Sequence, residues 1–165
     1  MSHIVNVVVA GLGGQGAIKA SDILADAACR AGHDVKKAEI HGMSQRGGSV
    51  TSDVRYGKKV LSPMVPHGEA DFLVVLSPDQ VEVQRPVLRP HGILIGPDFV
   101  DENELPNKRS LNVALLGALS HHLDIPEAIW MEAVHAALPK RLHEVNDRAF
   151  RMGREKAAAT PRHHR

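Results

Sequence analysis

The stretch Val7–Ala28, VVVAGLGGQGAIKASDILADAA, limits the fold more than any other part of the chain. Ile4–Ala10 is apolar except for Asn6 and rich in valine. A short run of this kind, closed by glycine, predicts a strand buried on both faces. Gln15–Ala31 follows with Ile18, Leu24, Ala25, Ala28 and Ala31 roughly on one side, and Gly32 stands where a helix stop belongs. His33–Ile40 is a second strand candidate. Strand, glycine turn, helix and strand make the unit from which parallel sheets are built. The turn itself, Gly11-Leu12-Gly13-Gly14-Gln15-Gly16, has the spacing G-x-G-x-x-G. Glycines there allow a sharp turn and close approach, and the helix N-terminus attracts an anion.

That spacing alone does not establish a dinucleotide site. Such a site wants an acid about 20 residues on, for which Asp34 and Glu39 are near the distance. A dinucleotide fold then continues with a helix and a third parallel strand. This chain continues instead with a second glycine-rich loop, His41-Gly42-Met43-Ser44-Gln45-Arg46-Gly47-Gly48, and runs straight into Ser49–Tyr56. In that segment Val50, Val54 and Tyr56 alternate with Thr51, Asp53 and Arg55, the period of a half-exposed strand. The link is too short for a crossover helix, so this strand is expected to run antiparallel to a neighbour. The imidazole, amide and guanidinium among the glycines of the second loop suit an anion or a protein partner.

The rest of the chain alternates and then becomes helical. Asp71–Ser77 reads as a buried strand. Pro78–Val83 reads as a short helix with Ser77 as N-cap, and Ile93–Ile95 as a short strand. Ser110–Leu123, Ile125–Leu138 and Leu142–Gly153 read as helices, and Arg154–Arg165 as a frayed tail. The expected fold is α/β: a mixed, mostly parallel, Rossmann-like sheet with helices on both faces and a helical C-terminal third. Residues 1–153 are expected to form one domain.

Composition narrows the function. Twenty basic and nineteen acidic residues give a net charge of +1, which marks neither a nucleic-acid nor a membrane-surface binder. No apolar run approaches the roughly 18 residues of a membrane helix, and no leader pattern is visible, so the expected location is cytoplasmic. The one cysteine, Cys29, reads as a small buried helix residue and cannot alone hold a cluster or a structural zinc. His121-His122 reads as a helix-end cation rather than a metal site. No G-x-S-x-G elbow, P-loop lysine, acid–base carboxylate pair or metal set is apparent.

The two loops together, GLGGQGAIKASDILADAA and KKAEIHGMSQRGGSVTSDVRYG, resemble the gamma subunits and gamma domains of the 2-oxoacid:ferredoxin oxidoreductases. The resemblance is greatest to the indolepyruvate branch, whose beta subunit is that domain alone. EADFLVVLSP, NVALLGAL and EVNDRAFRMG extend the likeness over about residues 4–153. It implies oxidative decarboxylation of a 2-oxoacid, an indolepyruvate or other aryl pyruvate, to an acyl-CoA with ferredoxin as acceptor. It also implies that thiamine diphosphate, magnesium and iron–sulfur clusters lie on a larger partner subunit, since this chain has no GDG…N thiamine signature. The isolated chain is expected to be inactive and to carry no catalytic residue or metal. Gly11, Gly13, Gly14, Gln15 and Gly16, with His41, Gly42, Ser44, Gln45, Arg46, Gly47 and Gly48, are the candidate cofactor or interface loops, with coenzyme A as a possible co-substrate. The competing reading is a stand-alone NAD- or flavin-binding module.

Overall fold

A computed structural model of the chain describes residues 3–41 and 48–161, with His41 as backbone only. Five strands form one sheet: β1 (Val5–Leu12), β2 (Asp34–His41), β3 (Ser49–Gly57), β4 (Ala70–Val75) and β5 (Leu88–Ile95). Their order is β2-β3-β1-β4-β5. β1 lies at the centre, which explains its apolar run: Val7, Val8, Val9 and Ala10 are each at most 2% exposed. β1 pairs parallel with β4 and antiparallel with β3. β2 is antiparallel to β3, and β5 is parallel to β4. Four strands therefore run one way, and β3 alone opposes them. The expected antiparallel strand has entered between β1 and β2.

Helix α1 (Ala17–Arg30) is stopped as its sequence indicates. Gly32 has φ 95°, its N–H donates to Cys29 O, and the His33 N–H reaches Ala28 O. These two bonds satisfy carbonyls that the helix end would leave free. Cys29 itself is exposed, contrary to the buried position read for it, because it lies on the side of α1 turned away from the sheet.

The sheet's two faces are covered unequally. Val7 and Val9 share a large core with α1, α3 (Leu111–Ser120), α4 (Glu127–Ala137) and α5 (His143–Ala159). Trp130 and Phe150, both fully buried, meet there with ring centroids 5.6 Å apart. Burial of a side chain such as Phe150 contributes about 2–3 kcal/mol. On the opposite face Val8, Ala10, Leu73 and Val75 pack against Val65, Val81 and Val87. The helices covering that side among the described residues are short pieces, the 3-10 turn Pro78–Gln80, α2 (Val81–Gln84) and the 3-10 turn Arg85–Val87, joined by Val65 from the link between β3 and β4. Ser77 precedes them in extended backbone, and its hydroxyl bonds the Asp79 carboxylate instead of capping a backbone N–H.

Two boundaries differ most from the sequence reading. β5 begins at Leu88, not Ile93, because Pro90-His91-Gly92 forms an irregularity within an edge strand rather than a turn before it. α5 passes Gly153 and ends at Ala159, so residues 154–159 of the expected frayed tail are helical and Ala157 is buried. Gly153 is not a stop. A Cβ there would lie 1.8 Å from Ala114 O, and one on Gly117 would lie 1.9 Å from Phe150 O. These glycines let α3 and α5 cross nearly backbone to backbone.

Candidate functional site

The first glycine loop grows directly out of the sheet. Gly11 and Leu12 still belong to β1 and pair with Val50 and Ser49 of β3. His41, the last residue of β2, also pairs with Val50. Three strands thus terminate together, and both glycine loops leave the same end of the sheet. Beyond the last strand pair, the Gly13 N–H donates to Gly48 O at 2.9 Å. This bond fastens the first loop to the end of the second.

Local chemistry shapes the turn. Leu12 N–H donates to Gln15 Oε1 at 2.6 Å, and Gln15 N–H donates to Leu12 O at 3.2 Å. Gln15 therefore holds the loop closed with its own side chain. Gly14 and Gly16 have φ of 88° and 89°, in the left-handed region that side chains with a Cβ disfavour. Gly16 is the N-cap of α1, which has no side-chain cap and no acidic residue in its first turn. Gly13, Gly14 and Gln15 are exposed. The helix end is accordingly open and carries the positive end of its dipole toward solvent.

One contributor was not singled out in the sequence. Asn112, 9% exposed, donates its side-chain amide to Gly16 O at 3.3 Å. A Cβ on Gly16 would stand 2.6 Å from that amide nitrogen. The available signal was its place as the single amide in the helix LNVALLGALS.

Of the second loop, Gly48 and the backbone of His41 have these positions, whereas Gly42, Ser44, Gln45, Arg46 and Gly47 lie outside the described residues. The acids considered for a ribose are engaged elsewhere. Asp34 lies at the far end of β2, opposite Gly57, where its carboxylate accepts from Val60 N–H at 2.8 Å and from Lys36. Those two donors hold it below the usual carboxylate range. Glu39 is bound by Lys37 at 2.6 Å. With β3 also separating β1 from β2, the dinucleotide geometry is missing. Asp53 faces the other side of β3, where burial pushes its carboxyl up although Val65 N–H donates to it. His121 and His122 form an edge-on pair just after α3, and His122 lies 5.8 Å from the Phe72 ring. Among the described residues no group of three or more His, Cys, Asp or Glu could hold a metal, and no helix is long and apolar enough to cross a membrane.

Comparison with known proteins gives this loop pair its context. Residues 6–106 match the family described as pyruvate ferredoxin/flavodoxin oxidoreductase. The chain is 35% identical to the indolepyruvate oxidoreductase subunit IorB of Thermococcus kodakarensis, over 90% of this chain and 93% of that one. It is 28% identical to the 2-oxoglutarate synthase subunit KorC of Archaeoglobus fulgidus, over 94% of this chain and 89% of that one. The solved gamma subunit of a keto/oxoacid ferredoxin oxidoreductase from Geobacter sulfurreducens has the same fold, with TM-score 0.79 at 23% identity over 95% of this chain and 98% of that one. A 2-oxoglutarate:ferredoxin oxidoreductase from Magnetococcus marinus, solved with 2-oxoglutarate, coenzyme A and succinyl-CoA, gives TM-score 0.81 at 23% identity over 96% of this chain and 32% of that one. The matched segment runs through both glycine loops and the inserted β3, and it fills more than half of the sequence: this chain belongs to the pyruvate ferredoxin/flavodoxin oxidoreductase family.

Proposed function

We propose that this chain is the small, cofactor-free subunit of a thiamine diphosphate-dependent 2-oxoacid:ferredoxin oxidoreductase, and that its paired glycine loops close on the larger subunit. Support comes first from its relatives, which are subunits of oxidoreductases for indolepyruvate and of a 2-oxoglutarate synthase. The higher identity to the indolepyruvate subunits favours an aryl pyruvate as substrate. In the proposed reaction the 2-oxoacid loses carbon dioxide, coenzyme A takes the acyl group, and the electrons leave to ferredoxin. Thiamine diphosphate and magnesium are proposed to lie with the clusters on the larger subunit, and a cluster does not fit the residues of this chain. Its single cysteine, exposed on α1, cannot replace the roughly four thiolates of a [4Fe–4S] cluster. The complex is proposed to work in the cytoplasm, where that thiol stays reduced.

The observation that carries the reading is the bond from Gly13 N–H to Gly48 O, which brings the two loops to one sheet end. The open N-terminus of α1 lies beside them. Gly11, Gly13, Gly14, Gln15 and Gly16 shape the floor of this region. His41, Gly42, Ser44, Gln45, Arg46, Gly47 and Gly48 are the second proposed interface segment. Arg46 is assigned as a donor to an anionic group, the phosphates of coenzyme A or a carboxylate of the partner, and His41, Ser44 and Gln45 are assigned to orient neighbouring groups. Arg46→Ala in the assembled complex tests this. A raised KM for coenzyme A, or weakened assembly, is expected. Unchanged assembly, turnover and coenzyme A dependence would overturn the assignment.

A further inference from the structure

On the helical side of the molecule, the start of α3 and the link from α4 to α5 enclose a cavity of about 350 Å³. That volume is at the lower end of small-molecule pockets. Val113, Leu138, Leu142 and Val145 give it an apolar lining. Three buried polar side chains stand among them: Ser110, Asn112 and Asn146, at 2%, 9% and 7% exposure. Asn146 donates to Leu142 O at 2.9 Å, and Asn112 Oδ1 accepts from Val113 N–H at 2.9 Å. These bonds fix both amides while leaving each a further N–H, because an amide nitrogen carries two donors.

Two cations complete the lining. Arg109 is on the 3-10 turn Lys108–Ser110 that leads into α3, and Arg141 is on the 3-10 turn Lys140–Leu142 that leads into α5. Among the described residues no acidic side chain lines the cavity. Neither guanidinium forms an ion pair with a described residue. Two solvent-exposed arginines on one apolar cavity, with no carboxylate beside them, leave their donors free for an anion, and the planar fork of each matches a carboxylate or phosphate.

We propose that this cavity binds a small amphipathic anion. Its carboxylate or phosphate rests on Arg109 and Arg141, and its apolar body lies on the valine and leucine lining. The site is distinct from the glycine loops yet touches them, since Asn112 both lines the cavity and bonds Gly16 O. An occupant that engages Asn112 is therefore felt at the N-cap of α1.

The test is an NMR titration of the full chain with phenylacetate, phenyl phosphate and the neutral benzyl alcohol, following the side-chain amides of Asn112 and Asn146. Saturable shifts at both amides are expected with an anionic probe, and the tighter of the two anions identifies the head group. Arg109→Gln and Arg141→Gln should each weaken binding about tenfold, the loss of a charge-assisted hydrogen bond, with folding intact because both side chains are exposed. Three results would each overturn the proposal: no saturable shift with either anion, equal binding of benzyl alcohol, or unchanged affinity in the two arginine variants.

Discussion

Glycine does different work in two regions of this molecule. At the crossing of α3 and α5, Gly117 and Gly153 have ordinary helical backbone, but the place of each missing Cβ is filled by a carbonyl oxygen of the other helix. At the first loop, Gly14 and Gly16 have left-handed backbone, and around Gly14 the space is open to 4 Å. The first pair is required by packing, whereas the second is required by conformation, alone at Gly14 and together with the Asn112 contact at Gly16. Close-packed interiors cannot yield without moving whole helices, whereas strain in an exposed turn is confined to that turn. The helical pair thus carries stability, and the loop pair carries the shape of the proposed interface.

Substitutions separate these roles, and the largest effect belongs to the helix crossing. Gly153→Ala or Gly117→Ala must push α3 and α5 apart and is expected to lose about 3 kcal/mol. For a chain of this size that is a fall of about 10 °C in Tm, readable by thermal circular dichroism. A wild-type Tm in both variants would break the comparison at its stronger end. Gly16→Ala combines left-handed strain with the Asn112 contact and should lose about 2 kcal/mol. Adding Asn112→Ala should recover the contact part while leaving the backbone part, which a double-mutant cycle resolves.

Gly14→Ala meets no neighbour, so the backbone strain stands alone at about 1 kcal/mol. If Gly14→Ala proves as damaging to folding as Gly153→Ala, the division between packing and conformation fails. Gln15→Ala removes the acceptor for Leu12 N–H in an exposed loop, and about 1 kcal/mol is expected from chemical denaturation. In the assembled enzyme the order should reverse: loop variants that retain most of their stability should lose more turnover than their stability loss explains.

Local signals in the sequence showed the part of the fold that local chemistry controls. The valine run of β1, the helix after it and the stop at Gly32 were all legible because each depends on neighbours in the chain. The direction of β3 was legible from the length of its link alone. The helix crossing was not. Gly153 has the same letter whether it ends a helix or admits another one, and its partner Gly117 lies far away in sequence. The strand read as Ile93–Ile95 fell short for a similar reason, since pairing of Ala70 with Leu88 extends β5 back across Pro90-His91-Gly92 through an edge irregularity that no local pattern shows. Of the candidate site, the glycines were visible from their spacing. Asn112 was hidden because its contact with Gly16 joins elements that no local pattern connects.

The subunit reading is tested most directly by assaying 2-oxoacid oxidation with coenzyme A and ferredoxin, using the purified chain alone, its large subunit alone and the two combined. Turnover only in the combination, with indolepyruvate among the accepted substrates, is the predicted result. Measurable turnover by this chain alone, or full activity of the large subunit without it, would contradict the proposal that it is a cofactor-free subunit completing a shared site.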